Sequence, residues 1–263
     1  MPEFGAKDVK ALRDATGAGM MDAKKALTET DGDMEAATQL LREKGMAKAA
    51  GRTDRENAEG AVAVAQGDGV VALVHVKCET DFSAKSDGFL AFTQKLADAV
   101  LADGAGAADA LTAELEDLKL VLKENIELGR IEQIRAADGN LLDTYLHSQD
   151  GRGVNAVVVE GSGVSQDDLH QVALHIAFAK PSVLTRDEVD AAEVEAERAS
   201  LLDITKAEGK PEQAWDKIVE GRLTAWFADR ALLEQGLHGE KTKVADSLGG
   251  GSIVRFVQAF VGG

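Results

Sequence analysis

Residues 70–78 read Val-Val-Ala-Leu-Val-His-Val-Lys-Cys, and this stretch decides the fold that the sequence predicts. Its side chains alternate between two faces and are rich in β-branched residues, which indicates a strand with one buried face. The turn-forming residues Glu79, Thr80 and Asp81 follow. Phe82 therefore stands where the strand ends and a helical pattern begins. An aromatic residue at such a place is either folded back into the core, which is the commoner case, or offered to a partner.

A hairpin followed by a helix occurs twice along the chain. Residues 59–78 contain two strand patterns, and residues 89–101 follow with helical periodicity. Residues 142–160 repeat the hairpin, and residues 166–180 repeat the helix. A strand-like segment at residues 252–257 is expected to complete a sheet. The sequence thus predicts an α+β fold with two related subdomains.

Helical periodicity dominates three further regions. Residues 5–45 predict a bundle of three short helices, with Asp33 capping the third helix and Gly45 ending it. Residues 46–59 are polar and rich in Ala and Gly, which predicts a tether between domains. Residues 107–128 predict a longer helix.

Residues 190–228 predict an antiparallel helical hairpin. Gly209 and Pro211 break the helical pattern, and this pair of residues favours a helix end followed by a new helix start. Each helix has an apolar face. The first face holds Ala191, Val194, Leu201 and Ile204, interrupted by Arg198, and the second holds Trp215, Ile218, Val219, Leu223 and Trp226. From the residues alone, the hairpin either packs flat on its domain or projects from it.

The composition excludes several classes of protein. Asp and Glu number 46 against 29 Lys and Arg, giving a net charge of -17, which opposes nonspecific binding to nucleic acid. The single cysteine allows no intrachain disulfide and fits a reducing compartment. No apolar run approaches the ~20 residues that span a bilayer, and the N-terminus lacks the features of a signal peptide. A cytoplasmic protein without membrane contact is expected.

Sites for chemistry are hard to find in the sequence. The five histidines lack metal-ligand spacing, and residues 239–242 match a phosphate-binding loop poorly. No metal, cofactor or nucleotide site of the chain's own is therefore predicted. A small hydrolase that uses His147 with Asp150 stays open as an alternative, but it would need a nucleophile within hydrogen-bond reach.

Several motifs together give the chain a resemblance to a known family. They are residues 16–27 (Thr-Gly-Ala-Gly-Met-Met-Asp-Ala-Lys-Lys-Ala-Leu), 32–33 (Gly-Asp), 79–82 (Glu-Thr-Asp-Phe), 209–211 (Gly-Lys-Pro), 217–222 (Lys-Ile-Val-Glu-Gly-Arg) and 254–256 (Val-Arg-Phe). In this order and spacing they resemble bacterial elongation factor Ts. The resemblance implies a guanine-nucleotide exchange factor that binds elongation factor Tu and promotes GDP release. It also implies that the protein is not an enzyme in the sense of making or breaking covalent bonds. The alternative is a ubiquitin-associated-type protein-binding module on an unrelated scaffold.

The resemblance also implies which residues bind the partner. Thr80, Asp81 and Phe82 match a wedge that enters between two helices of Tu and disturbs its magnesium and phosphate site. Two further sets match partner contacts: Lys10, Arg13, Met20 and Met21 on the GTPase domain, and Glu124, Asn125 and His147 from the core. From the residues themselves, Met20 or Met21 is expected in the bundle core, but adjacent helical positions do not both face inward.

The resemblance fixes the expected domain organisation and leaves some departures. Three domains are expected, namely a ubiquitin-associated-like bundle at 1–50, a core subdomain at 55–140, and a second at 141–263 into which the projecting hairpin is inserted. A homodimer through that hairpin is left open. Ser83 and Ser86 stand where the family usually has Val and Asn, and Lys123 stands where Gly is usual.

Overall fold

The computed structural model of the protein describes residues 4–50 and 55–263. It confirms the predicted α+β class, with three helices followed by two three-stranded antiparallel sheets and their covering helices. Among the described residues, no helix has the length and apolar character needed to cross a membrane. The domain boundaries given above stay predictions.

The N-terminal bundle consists of three helices, α1 (Ala6–Thr16), α2 (Met20–Glu29) and α3 (Met34–Ala50). Its core contains Val9, Leu12, Ala23, Ala26, Leu27 and Ala37. Met20 and Met21 are 49% and 75% exposed, so the prediction that one of them lies in the core is wrong. Three alanines allow the helices to approach closely enough for Val9, Leu12 and Leu27 to fill the centre.

Helix α3 begins as predicted and ends later than predicted. The Asp33 carboxylate caps it by accepting hydrogen bonds from the Glu35 and Ala36 N–H groups at 2.9 and 3.0 Å. The helix passes through Gly45, so Gly45 does not end it, and the predicted tether begins inside a helix. A β-carbon on Gly45 would lie 2.5 Å from Leu120 Cδ2, which shows that this glycine permits a close approach. Residues 51–54 of the predicted tether lie outside the described residues.

The first sheet has the strand order β1-β2-β3, with β1 (Glu59–Gly67), β2 (Val70–Cys78) and β3 (Glu127–Arg135). Between β2 and β3 lie α4 (Asp81–Ala84), α5 (Asp87–Asp103), a 3₁₀ helix (Ala105–Leu111) and α6 (Thr112–Leu122). β2 has the predicted bounds. Helix α6 is shorter than predicted, because Lys123 adopts a left-handed φ of 60° and ends it before β3 begins.

The second sheet has the order β4-β5-β6, with β4 (Leu141–Gln149), β5 (Arg152–Ser162) and β6 (Ser252–Phe260). Helix α7 (Gln166–Ala179) covers one face, where Leu169, Val172 and Ile176 pack with Val157 and Val159. The second hairpin-plus-helix unit and the closing strand are therefore present as predicted. β6 is the third strand of that sheet.

Strand β2 is buried on both faces, so the prediction of a single buried face is wrong. Val74 and Val76 pack with Phe89 and other residues of α5 on one side. On the other side Val71 and Leu73 belong to a cluster that contains Ala156 and Val158 of β5. The two sheets pack face to face, and β2 is the central strand of its sheet.

Helices α8 (Ala191–Ala207) and α9 (Trp215–Arg230) form the predicted helical pair, with Gly209 at a φ of 71° in the connection. Val219, Leu223 and Phe227 of α9 are buried. Ile204, which the sequence assigns to the apolar face of α8, is 45% exposed. Two ion pairs join the hairpin, Arg198 of α8 with Glu220 of α9, and Arg222 of α9 with Glu208 at the end of α8. That this hairpin projects from the protein stays a prediction.

Candidate functional site

Phe82 is an exposed aromatic residue on a very short helix at the end of β2. Its exposed fraction is 85%. Thr80 caps α4, because its hydroxyl oxygen accepts a hydrogen bond from the Ser83 N–H at 3.3 Å. Asp81 occupies the first turn, where a negative charge complements the helix dipole. The structure thus presents Phe82 to solvent on a locally ordered turn.

The segment before α4 is held by the residues that follow α6. The Glu124 carboxylate accepts hydrogen bonds from the N–H groups of Glu79 and Thr80, both at 3.1 Å, and from the Thr80 hydroxyl at 2.6 Å. In return, the Glu79 carboxylate accepts a hydrogen bond from the Asn125 N–H at 2.6 Å. Each carboxylate therefore binds the main chain of the other segment. We call Glu79, Thr80, Glu124 and Asn125 the support network.

Asn125 belongs to the interior of this network. Its side chain is 5% exposed, and its amide nitrogen donates to the Arg55 carbonyl at 3.1 Å and to the Glu127 carboxylate at 3.2 Å. A side chain in this position stabilises the segment around it. It has little surface left for a contact with another protein.

Lys85 joins α4 to the second sheet. Its ammonium group lies 2.8 Å from the Asp81 carboxylate and 3.1 Å from the Asp150 carboxylate. The hydrogen bond from Lys85 lowers the pKa of Asp81, and the hydrogen bonds to Asp81 and Asp150 raise the pKa of Lys85. Asp81 is therefore ionised and Lys85 charged at neutral pH. The spacing of four residues between Asp81 and Lys85 could have indicated this pair from the sequence, but Asp150 could not be found in that way.

His147 lies near the end of β4, three residues before Asp150. The β4–β5 turn consists of Asp150 and Gly151, both with positive φ, as in a type I′ turn. The His147 Nδ1 lies 3.3 Å from the Tyr145 hydroxyl, and the two rings are stacked with their centroids 6.3 Å apart. Nδ1 thus faces a phenol rather than the carboxylate that a hydrolytic His–Asp pair requires.

The bundle residues form a second, separate group. Lys10 and Arg13 are exposed on α1, and Met20 and Met21 are exposed in the first turn of α2. The bundle rests on α6, through an ion pair of 3.0 Å between Arg42 and Asp117. A cleft of about 750 Å³, lined by the 16–19 loop and by α6, lies between the two. The predicted site residues therefore fall into two places, one on the bundle and one around Thr80.

The departures from the family pattern fit the local geometry. Ser83 lies within α4 and is 7% exposed. Ser86 caps α5 by accepting the Phe89 N–H at 3.4 Å, so it supplies a helix start. Lys123 takes the left-handed conformation that favours glycine.

Two buried groups that could carry chemistry, the Cys78 thiol and the His75 ring, are uncharged at neutral pH. Burial raises the pKa of the Cys78 thiol to about 12, so it is not a thiolate at neutral pH. Burial lowers the pKa of His75 to about 4, so its ring is neutral at that pH. Within the described part of the chain, no three His, Cys, Asp or Glu side chains are grouped to hold a metal ion.

Comparison with known proteins finds a single consistent likeness. The family model described as Elongation factor TS matches residues 79–262. The protein named Elongation factor Ts of Clavibacter sepedonicus is 45% identical over 89% of each chain. Its namesake in Cutibacterium acnes is 44% identical over 98% of each chain, and that of Kineococcus radiotolerans is 39% identical over 96% of each.

Proposed function

Because this chain belongs to the elongation factor Ts family, and is thus a translation elongation factor, we propose that it is the guanine-nucleotide exchange factor of elongation factor Tu. It binds Tu in the bacterial cytoplasm and promotes GDP release. The observation that carries this proposal is Phe82, 85% exposed on a turn that the support network and Lys85 hold in place.

The exchange reaction needs no nucleotide site on this chain. A protein that binds nucleotide-free Tu more tightly than nucleotide-loaded Tu lowers the affinity of Tu for the nucleotide. The two affinities change by the same ratio, since linkage is reciprocal. Loosening GDP by ~10⁴-fold requires roughly 5.5 kcal/mol of differential interaction. No covalent bond is made or broken, so the protein is not an enzyme in the bond-making sense.

Thr80, Asp81 and Phe82 are proposed as the wedge that disturbs the magnesium and phosphate site of Tu. Burying one Phe side chain contributes about 2–3 kcal/mol, which is about half of the differential interaction required. The ionised Asp81 adds negative charge next to the bound phosphates. Its carboxylate pairs with Lys85, which also pairs with Asp150, so the three side chains together carry one net negative charge.

The remaining free energy is proposed to come from separate contacts. Lys10, Arg13, Met20 and Met21 contact the GTPase domain, and their exposure leaves them available. His147 contacts a more distant part of Tu from the end of β4. Glu124 and Asn125 are turned into the support network, so we assign them no direct contact with Tu.

The alternative of a ubiquitin-associated-type module on an unrelated scaffold is less well supported. Residues 79–262 are the scaffold of that alternative, and they are the segment that the family model matches. The hydrolase alternative lacks a His147–Asp150 pair, as described above.

The test is the rate at which a fluorescent GDP analogue leaves purified Tu. Phe82→Ala should slow the catalysed release by about 30- to 150-fold, which is the equivalent of ~2–3 kcal/mol. Its melting temperature should change little, because the side chain is exposed. Val254→Ala serves as the control, because Val254 is 43% exposed on β6. With this variant, GDP should leave Tu at the same rate as with the unaltered protein. A Phe82→Ala protein with unaltered release would refute the wedge.

A further inference from the structure

We propose that Glu124 is a positioning residue, whose carboxylate sets the conformation of α4 and thereby the direction in which Phe82 points. This inference rests on the proposed exchange function and deepens it. Three hydrogen bonds from Glu79 and Thr80 converge on the Glu124 carboxylate, at 2.6 to 3.1 Å. Hydrogen bonds to a charged acceptor are stronger than those between neutral groups.

The effect on α4 follows from the chemistry of the Thr80 hydroxyl. A hydroxyl has one proton to donate and lone pairs that accept. Since Glu124 takes the proton at 2.6 Å, the Thr80 oxygen is oriented to accept the Ser83 N–H at 3.3 Å and to cap α4. Without Glu124 the hydroxyl could instead donate to a carbonyl group or to water, and the cap would lose its fixed orientation.

Helix α4 depends on this cap because it is only four residues long. A single helical turn is not stable by itself, since nucleation costs more than its few hydrogen bonds return. Two main-chain hydrogen bonds that close this turn, Ala84 N–H to Thr80 and Lys85 N–H to Asp81, are each 3.1 Å. Phe82 is 85% exposed, so side-chain packing contributes little to its orientation. The backbone has to fix its direction.

Glu124 reaches Thr80 because of the chain reversal after α6. Lys123, with φ of 60°, ends the helix and turns the next residues toward the end of β2. The Asn125 N–H then binds the Glu79 carboxylate at 2.6 Å, which locks the two segments in register. The base of the wedge is thus held from α6, an element on which the bundle also rests.

The experiment is a double-mutant cycle between Glu124 and Phe82, read by GDP release from Tu at saturating factor. Glu124→Ala alone should slow release about tenfold or more, as expected for loss of hydrogen bonds to a charged group. In the Phe82→Ala background the same substitution should have no further effect on release, because the side chain that Glu124 positions is absent. Glu124→Gln should fall between, since it keeps one acceptor oxygen. Glu114→Ala, which removes an exposed carboxylate from α6, is the charge-matched control and should leave release unchanged.

Melting temperatures separate positioning from unfolding. If Glu124→Ala does not fold, Thr80→Val provides the same cycle from the other partner, because it removes the hydroxyl that donates to Glu124. Multiplicative effects of the Glu124 and Phe82 substitutions, or unaltered release in Glu124→Ala, would overturn the positioning role. Failure of Phe82→Ala to slow release would refute the exchange wedge itself, which is a different outcome.

Discussion

The bundle and the wedge both expose large apolar side chains, but their supports differ. Met20 and Met21 lie on a small helical unit with its own core, which is joined to the rest of the protein by contacts with α6. Phe82 lies on one turn that is fixed by charged hydrogen bonds from both sides. For the proposed exchange function we therefore expect separate tasks: the bundle would supply binding area, and the wedge would deliver one side chain to a defined position.

Removal of the bundle should have the largest effect. A chain of residues 55–263 should keep its sheets, because the bundle core shares no residue with the cores of the two sheets. Loss of the contacts proposed for Lys10, Arg13, Met20 and Met21 should weaken Tu binding by roughly 10²- to 10³-fold. Titration of Tu with the shortened chain measures the affinity, and circular dichroism checks that it is folded. Full exchange by the shortened chain would remove the basis for assigning binding to the bundle.

The next largest effect is expected from acid. Low pH should destabilise the part of the chain that follows the bundle, because all five histidines lie there. Burial lowers the pKa of His75 to about 4 from an ordinary value of 6.5. Between pH 6.5 and pH 4, His75 therefore binds a proton in the unfolded chain but stays neutral in the folded chain. Stability is fully present above pH 6.5 and should fall by up to about 3 kcal/mol as the pH drops to 4.

Urea denaturation between pH 7 and pH 5 measures this loss before most carboxylates titrate. His75→Leu should reduce the slope of stability against pH. Burial also lowers the pKa of His175, so a smaller slope should remain. An undiminished slope in His75→Leu would show that His75 is not the group responsible.

A single exposed methionine should have a smaller effect. Met21→Ala should weaken Tu binding about tenfold, which is ~1.4 kcal/mol and less than full burial of the side chain, and it should leave the melting temperature unaltered. Leu12→Ala is the contrasting variant, because Leu12 is fully buried and its loss should destabilise the bundle by about 2–5 kcal/mol. If Met21→Ala also lowered the stability of the bundle, the separation between binding residues and core residues there would fail.

The smallest effect is expected from the α8–α9 hairpin. If bundle and wedge supply the main contacts, replacing residues 190–228 by a short linker should change GDP release by less than about twofold, which is below 0.5 kcal/mol. Light scattering on the same protein tests whether the hairpin forms a homodimer. If the protein without the hairpin no longer bound Tu, the hairpin would be a third contact region. The claim that the bundle and the wedge supply the main contacts would then be wrong.

The sequence predicted those elements whose patterns are local. β2 was placed correctly because its alternation is regular, and Asp33 was identified as a cap by its position before a helical pattern. β3 was missed, since Gly129 and the charged Arg130 and Glu132 give it no apolar alternation. Its pairing with β2 is a long-range contact that no local pattern encodes.

The candidate site shows the same division. Residue patterns alone favoured a buried Phe82, and the family resemblance favoured an exposed one, which the structure has. The support network joins residues 45 positions apart in the chain, as with Glu79 and Glu124, so the sequence held no sign of it. One of Met20 and Met21 was wrongly expected in the core, because a core that is half alanine looks too small from its composition.

Because β2 is packed on both faces, its register in the sheet is fixed. The distance from the strand to Phe82 is therefore fixed as well. Removing one residue from Val70–Cys78 would exchange the two faces and move Thr80 by about 3.3 Å. Added residues at the β1–β2 turn, where Gly69 has open space around it, would leave that distance intact. Over evolutionary time, we therefore expect insertions and deletions to accumulate at that turn and to be eliminated between β2 and α4, where the number of residues matters more than their identity.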